Sequence, residues 1–370
     1  MRESIQKIQP FLDNKLKATE DLESFCGIFG DQPSKYAKSP GIWNAVFTEL
    51  SLPVKYLSFD VDSEKLEPLV GALRQCGDYL GGNVTVPHKV SIMPYLDEVD
   101  DKAGQIGAVN TVVREPDGRL VGYNTDGKGA LDAVTTTLPG ESGPLISSIG
   151  GIQVLLIGAG GAARAVAVYM AEAIGPFGKL VIANRSAERG RQLAESVNRR
   201  YGNTEAITWG EIPDHAIGAD LIIQGSVVGQ SGVHEISPGQ YICLEPYSPL
   251  GEVEAPALVK GDMTLQDFSR RWMMEAQDSV LRNNEQSMSL ACVIPDNACF
   301  FDMIYAPFET SLLRHARLTG HRCLNGKAMN VLQASEGFVN RVIKGSLEAR
   351  GLSPDDGIYQ RVTSLMYECW

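Results

Sequence analysis

Residues 152–163 read IQVLLIGAGGAA: a short apolar run, a glycine-rich turn, and the opening of the alanine-rich segment AARAVAVYMAEAIG that ends at Gly175. The apolar run has the length of a buried strand, and glycine lets the backbone turn tightly and approach a ligand closely. The segment after the turn is rich in strong helix formers. A second apolar run, LVIANR at 180–185, follows. Strand, glycine turn, helix and strand make a βαβ unit, the setting in which a dinucleotide pyrophosphate meets the free N–H groups and positive dipole end of a helix. Gly158, Ala159, Gly160, Gly161 and Ala162 are therefore the candidate cofactor turn, with Ala163 in the third glycine position.

The end of the second strand indicates which dinucleotide. Sites for NAD commonly place a carboxylate there to hold the ribose hydroxyls, whereas this chain has Asn184-Arg185-Ser186 and then Arg189. Guanidinium groups receive a 2′-phosphate bidentately, and positive charge at a helix N-terminus is unfavourable unless an anion joins it. NADP is the expected cofactor, with NAD the alternative.

Outward from this unit the alternation continues. ADLIIQG at 219–225 reads as the next strand and CFFDMIY at 299–305 as another. Between them MTLQDFSRRWMMEAQDSVLRNN places Phe268, Trp272, Met273, Ala276, Val280 and Leu281 at helical spacing, an amphipathic helix in a long excursion. Toward the N-terminus, the first 25 or so residues read as an accessory helix, and Phe25–Gly30 is the first strand. Ser39 is placed to cap a helix that Pro40 opens, with Ile42, Val46, Phe47 and Leu50 on one face. KYLSFDV and SEKLEPLVGALRQC supply another strand and helix. The expectation is an α/β chain of two domains, each around a mainly parallel sheet.

The net charge of −12 is spread along the chain with no Lys/Arg block, which argues against a nucleic-acid or anionic-membrane surface. Seven cysteines without a CxxC pair suggest a reducing compartment and no zinc site. The N-terminus is too charged for a secretory signal, and no run of 18 apolar residues occurs. The chain reads as soluble and cytoplasmic, a monomer or homodimer acting on a small molecule, without a metal.

Three further segments are more specific: GNVTVPHK at 82–89, GAVNT at 107–111 and NTDG at 124–127. Together with KSP at 38–40, the glycine turn and NRSAER at 184–189, their order and spacing resemble the shikimate dehydrogenase family over most of the chain. The resemblance implies a substrate-binding domain at 1–127, to which the C-terminal helices of 326–370 return. It also implies a Rossmann-type NADP domain at 128–325 carrying an insertion within 231–298. Lys89 and Asp126 match the family's proton-transfer pair, and a lysine can serve if its surroundings favour the neutral form for part of the cycle. Ser39, Thr85, Asn110, Tyr305 and Gln333 match substrate contacts. Asn83 is read as bracing a turn, and His88 is left out because helix neighbours point differently.

Three departures stand out. The family's Ser-x-Ser clamp for the substrate carboxylate has Ala37 in its first position, a loss of about 1.5–3 kcal/mol unless another donor such as Tyr36 compensates. Gln224-Gly225-Ser226 stands where Asn-Ala-Thr is usual, and Ala328 where a glycine is usual. The implied activity is the NADP-dependent interconversion of shikimate and 3-dehydroshikimate. Quinate or another cyclitol acid with NAD or NADP is the alternative, and a non-catalytic regulator binding a metabolite or nucleotide is the second.

Overall fold

The structure is a computed structural model that describes residues 2–16 and 23–370. It divides into two compact units, residues 1–132 with 329–370, and residues 133–328. The boundaries fall at 132/133 and 328/329 rather than at 127/128 and 325/326. The expected accessory helix occupies Arg2–Ile8, and residues 17–22 of that segment lie outside the described residues.

The strands of the first unit are β1 (Ser24–Gly30), β2 (Val54–Asp60), β3 (Tyr79–Val84), β4 (Glu98–Val99), β5 (Thr111–Arg114) and β6 (Leu120–Tyr123). They form one sheet in the order β2-β1-β3-β5-β6-β4, parallel except where β5 runs against β3 and β6. Side chains alternate across it. Phe25 and Phe29 of β1 join Phe59, Leu69, Leu73 and Tyr79 on one face, and Cys26 and Ile28 join Trp43, Phe47 and Tyr56 on the other. The C-terminal helices cover the second face. Phe338 lies against Trp43, ring centroids 5.1 Å apart, with Val331, Val339 and Met366 around it. The helix expected to be capped by Ser39 begins at Ser39 itself, with Lys38 at the cap position and no side-chain cap bond.

The second unit holds β7 (Gln153–Ile157), β8 (Lys179–Asn184), β9 (Thr204–Thr208), β10 (Leu221–Gln224), β11 (Val233–Ser237), β12 (Gln240–Cys243), β13 (Leu258–Val259), β14 (Cys299–Asp302) and β15 (Arg322–Leu324). Six of them make a wholly parallel sheet in the order β9-β8-β7-β10-β14-β15. This is the doubly wound arrangement whose winding reverses between β7 and β10, the place where such sheets take a ligand. Covered on both faces, Val154–Ile157 and Leu221–Ile223 have no accessible surface, which is why they read as unbroken apolar runs.

The excursion between β10 and β14 contains a small antiparallel sheet, β11-β12-β13, which periodicity did not reveal, and the expected helix, Leu265–Ala291. Phe268, Trp272 and Ala276 are fully buried with Tyr247 in a core of their own, but Met273 and Leu281 are exposed. The helix rotates its second half so that polar groups face inward. Asn283 accepts from the N–H of Ser248 (2.8 Å), the Ser287 hydroxyl donates to Ser248 Oγ (2.7 Å), and His315 Nδ1 lies 2.9 Å from Ser287 Oγ. Burial holds His315 below its ordinary range. No helix among the described residues is long and apolar enough to cross a membrane.

Candidate active site

Lys89 lies on the short helix His88–Ser91 that follows β3, and Asp126 is the first residue of the helix Asp126–Thr135 that follows β6. Only β5 separates the two strands, so residues far apart in sequence meet beyond the carboxyl ends of β3 and β6. Lys89 Nζ is 2.6 Å from Asp126 Oδ2, and Asn110 donates to Asp126 Oδ1 at 2.7 Å. With each oxygen held by a different donor, the carboxylate cannot turn. The lysine side chain is 21% exposed and the aspartate 9%, which leaves the ammonium reachable by a ligand while its partner is sheltered. The Lys89 carbonyl accepts from Val109 N–H at 2.7 Å and ties the lysine's turn to the segment carrying Asn110.

Asn110 is the hub. Its amide oxygen accepts from Thr125 N–H (2.8 Å), and its amide nitrogen also reaches Thr125 Oγ1 (3.1 Å) and Gln333 Oε1 (3.5 Å). The Thr125 hydroxyl lies 3.2 Å from the same Gln333 oxygen. Gln333 reaches this cluster because its helix, Lys327–Gly337, passes against Gly129, where an added Cβ would lie 2.7 Å from the Gln333 backbone nitrogen. Lys89, Asp126, Asn110 and Gln333 are thus brought together.

Thr85 follows β3, its N–H donating to Phe29 O at 2.8 Å, and Ser39 opens the helix Ser39–Glu49. The Tyr56 hydroxyl donates to Asn83 Oδ1 at 2.6 Å, and Asn83 Nδ2 is 3.4 Å from both Asn110 O and Thr111 Oγ1. Asn83 is therefore a strand residue linking Tyr56 to the hub, and it does not brace a turn. Tyr56, Thr111 and Thr125 were missed; only their neighbourhood to quoted motifs pointed to them. His88 is fully buried with Nε2 2.8 Å from Val61 O, a structural place consistent with leaving it out.

In the second unit Gly158 ends β7 with φ 120°, and a Cβ there would lie 2.7 Å from Gly225 C beyond β10, so the two turns pack backbone to backbone. The helix Gly161–Ile174 starts from Gly160 with no side-chain cap, which leaves its first N–H groups for a ligand. Ala159 and Ala162 are half-buried and Gly161 is exposed. Asn184 ends β8 and donates to Ser186 O at 2.9 Å; the Ser186 hydroxyl caps the next helix by accepting from Arg189 N–H at 3.4 Å. Arg185 and Arg189 are exposed, and among the described residues neither guanidinium has an acidic partner, because Glu188 pairs with Arg191 at 2.7 Å. An uncapped helix start, a glycine cradle and two unpaired guanidiniums fit the pyrophosphate and 2′-phosphate of NADP.

Tyr305 lies beyond β14 in this unit, half-buried, with its phenol pushed up by burial. Gln224, in place of the expected asparagine, is fully buried; its amide donates to Val228 O (2.7 Å) and accepts from Ser226 N–H (3.0 Å), closing its own turn. Ala328 is fully buried.

Comparison with known proteins agrees with this geometry. The model of the shikimate dehydrogenase substrate binding domain matches residues 28–112, and that of shikimate / quinate 5-dehydrogenase matches residues 144–234. The NADP(+) shikimate dehydrogenase of Bacillus licheniformis is 34% identical over 317 residues, 86% of this chain and 91% of its own. That of Methanococcus maripaludis is 30% identical over 312 residues, 84% and 89% of the two chains. The shikimate dehydrogenase structure from Aquifex aeolicus has TM-score 0.62 at 26% identity, covering 94% of this chain and 99% of that one. A quinate dehydrogenase from Corynebacterium glutamicum in complex with NAD shares the fold at TM-score 0.65 and 23% identity, with coverage of 94% and 99%. With two thirds of the chain and more aligned at this level of identity, it belongs to the shikimate dehydrogenase family.

Proposed function

We propose that the chain is an NADP-dependent oxidoreductase interconverting shikimate and 3-dehydroshikimate in the cytoplasm, as a monomer or homodimer. The observation that carries this reading is the Lys89–Asp126 pair held at 2.6 Å on a hub of hydrogen bonds. When bound, the nicotinamide supplies or accepts the hydride. In reduction Lys89 Nζ donates a proton to the carbonyl oxygen of the substrate, and in oxidation it takes the hydroxyl proton back. Asp126 keeps the ammonium in place, so little reorganisation remains at the transition state. Thr85, Asn110 and Gln333 hold ring hydroxyls, Ser39 holds the carboxylate, and Tyr305 is assigned a substrate contact on the family resemblance. Gly158 to Ala162 take the pyrophosphate, and Asn184, Arg185, Ser186 and Arg189 the 2′-phosphate of the adenosine ribose.

Ala37 favours a second reading, that quinate or a related cyclitol acid is the better substrate. A non-catalytic regulator has no need of a paired lysine left accessible, which weighs against that alternative. The experiment follows reduced-cofactor absorbance with shikimate and with quinate, each against NADP and NAD. Turnover of shikimate with NADP is expected; no turnover with any pair overturns the reading, and a strong preference for quinate replaces the substrate while leaving the chemistry.

A further inference from the structure

The loop that carries Tyr305 begins and ends on one carboxylate. Asp302 is the last residue of β14, fully buried, and pairs across the sheet with Gln224 of β10. Its Oδ1 accepts from the N–H of Ile304 at 2.9 Å, and its Oδ2 accepts from the hydroxyl of Thr310 at 2.7 Å. Thr310 is itself the N-cap of the helix Ser311–Leu318, accepting from Leu313 N–H at 3.3 Å. The loop backbone is pinned in between, by Met303 N–H to Gln224 O (2.9 Å), Gly326 N–H to Ile304 O (3.0 Å) and Ser231 N–H to Ala306 O (3.0 Å). The segment stands at the carboxyl ends of β10 and β14, the end of a doubly wound sheet that receives ligands.

An amide accepts at only one of its two positions and cannot take both bonds, so the two are kept by a carboxylate although a buried charge is costly when no cation compensates. Burial pushes the Asp302 carboxyl up to about 7, opposed only by the bonds from Thr310 and Ile304. The groups shown to meet it are uncharged: the Ile304 N–H, the Thr310 hydroxyl and, across the sheet, Gln224. Glu309, on the same loop, is held low by its pairing with Arg317 and Arg314 and contributes nothing to the Asp302 shift.

We propose that Asp302 is a positioning residue: its ionised carboxylate fixes the 303–309 loop in the form that presents Tyr305 to the substrate, and its protonation releases that form. This rests on the reading of Tyr305 as a substrate contact. A carboxylate accepts at both oxygens, whereas a carboxylic acid must donate at one. A proton on Oδ2 reverses the bond with Thr310, so that the acid donates and the threonine proton loses its acceptor, and a proton on Oδ1 opposes the Ile304 N–H. Either way the arrangement that the ionised carboxylate imposes on one end of the loop is weakened. When only the ionised fraction binds well, the apparent affinity falls in proportion to that fraction, about tenfold one pH unit below the carboxyl's pKa.

The test is kcat and KM for the substrate between pH 6 and 9, for wild type, Asp302→Asn, Thr310→Val, Thr310→Ser and Tyr305→Phe. Wild-type KM is expected to rise about tenfold from pH 8 to pH 6. Asp302→Asn should start from a raised KM with no such rise, and its kcat should keep the wild-type pH profile. Thr310→Val should raise KM and Thr310→Ser should restore it. If Tyr305→Phe raises KM while Asp302→Asn keeps both the wild-type KM and its pH dependence, the proposal is overturned alone. If Tyr305→Phe leaves KM unchanged, the Tyr305 reading is overturned and the proposal with it.

Discussion

The cluster around Asp126 and the cationic edge beyond β8 treat charge in opposite ways. In the first, the carboxylate has a lysine on one oxygen and an amide on the other, and the amide is held in turn by Thr125 and Gln333. In the second, Arg185 and Arg189 stand exposed with no acidic partner among the described residues, beside a helix start that no side chain caps. The contrast follows from the work proposed for each. A proton must move between atoms at fixed separation, so its donor has to be placed before the substrate arrives. A phosphate brings its own charge and can complete a half-built site, at the cost of ordering two long side chains.

The comparison breaks first, if it breaks, at Lys89. Lys89→Ala should lower kcat by roughly 10²–10⁴ while leaving NADP binding, followed by cofactor fluorescence, unchanged. A loss in binding of the same size would mean the two regions are not separate in function. The next effect is smaller and opposite in kind. Arg185→Ala together with Arg189→Ala should raise KM for NADP by about 10- to 100-fold, leave KM for NAD nearly alone, and leave kcat at saturation intact. Raising the salt concentration should erode the wild-type preference, because these charges are screened.

Ala37→Ser should improve KM for shikimate by about tenfold if the clamp reading holds, with no change in kcat. Asp302→Asn tests stability. Its folded carboxyl, at about 7, lies above the ordinary value of 3.8, so the folded state holds the proton more tightly than the unfolded chain. Stability linked to this group is fully present below about pH 4 and is lost as pH rises through 7. The amide variant should therefore melt a few degrees higher than wild type at pH 8, and the difference should vanish near pH 4.

The second unit was largely legible in the sequence because its strands are buried on both faces and its turn demands glycine. Residues 154–157 admit one reading, and the glycine at 158 is required where two backbones touch. The meeting of Lys89 and Asp126 was legible through short motifs, not through periodicity. What stayed hidden was whatever depends on contacts between distant segments. Nothing local marks Tyr56 as a donor to Asn83, since a tyrosine in a strand reads as core. The exposure of Met273 and Leu281 was equally opaque, because helical spacing tells which residues share a face but not how the buried stripe drifts along 27 residues. The sheet β11-β12-β13 has strands too short and too exposed for alternation to show.

The excursion between β10 and β14 also bears on how the chain can be remodelled. The two strands pair in register from Leu221↔Cys299 to Gln224↔Asp302 although a small sheet and a long helix intervene. Closing a loop costs only about 0.6 kcal/mol for each doubling of its length, so the pairing is nearly indifferent to what the loop contains. The excursion meanwhile carries a core of its own around Phe268 and Trp272. Such a junction is a grafting point for its outer part, the small sheet and the first half of the helix, whereas Leu250, Leu290 and Ile294 belong to the core of the parallel sheet and would have to stay.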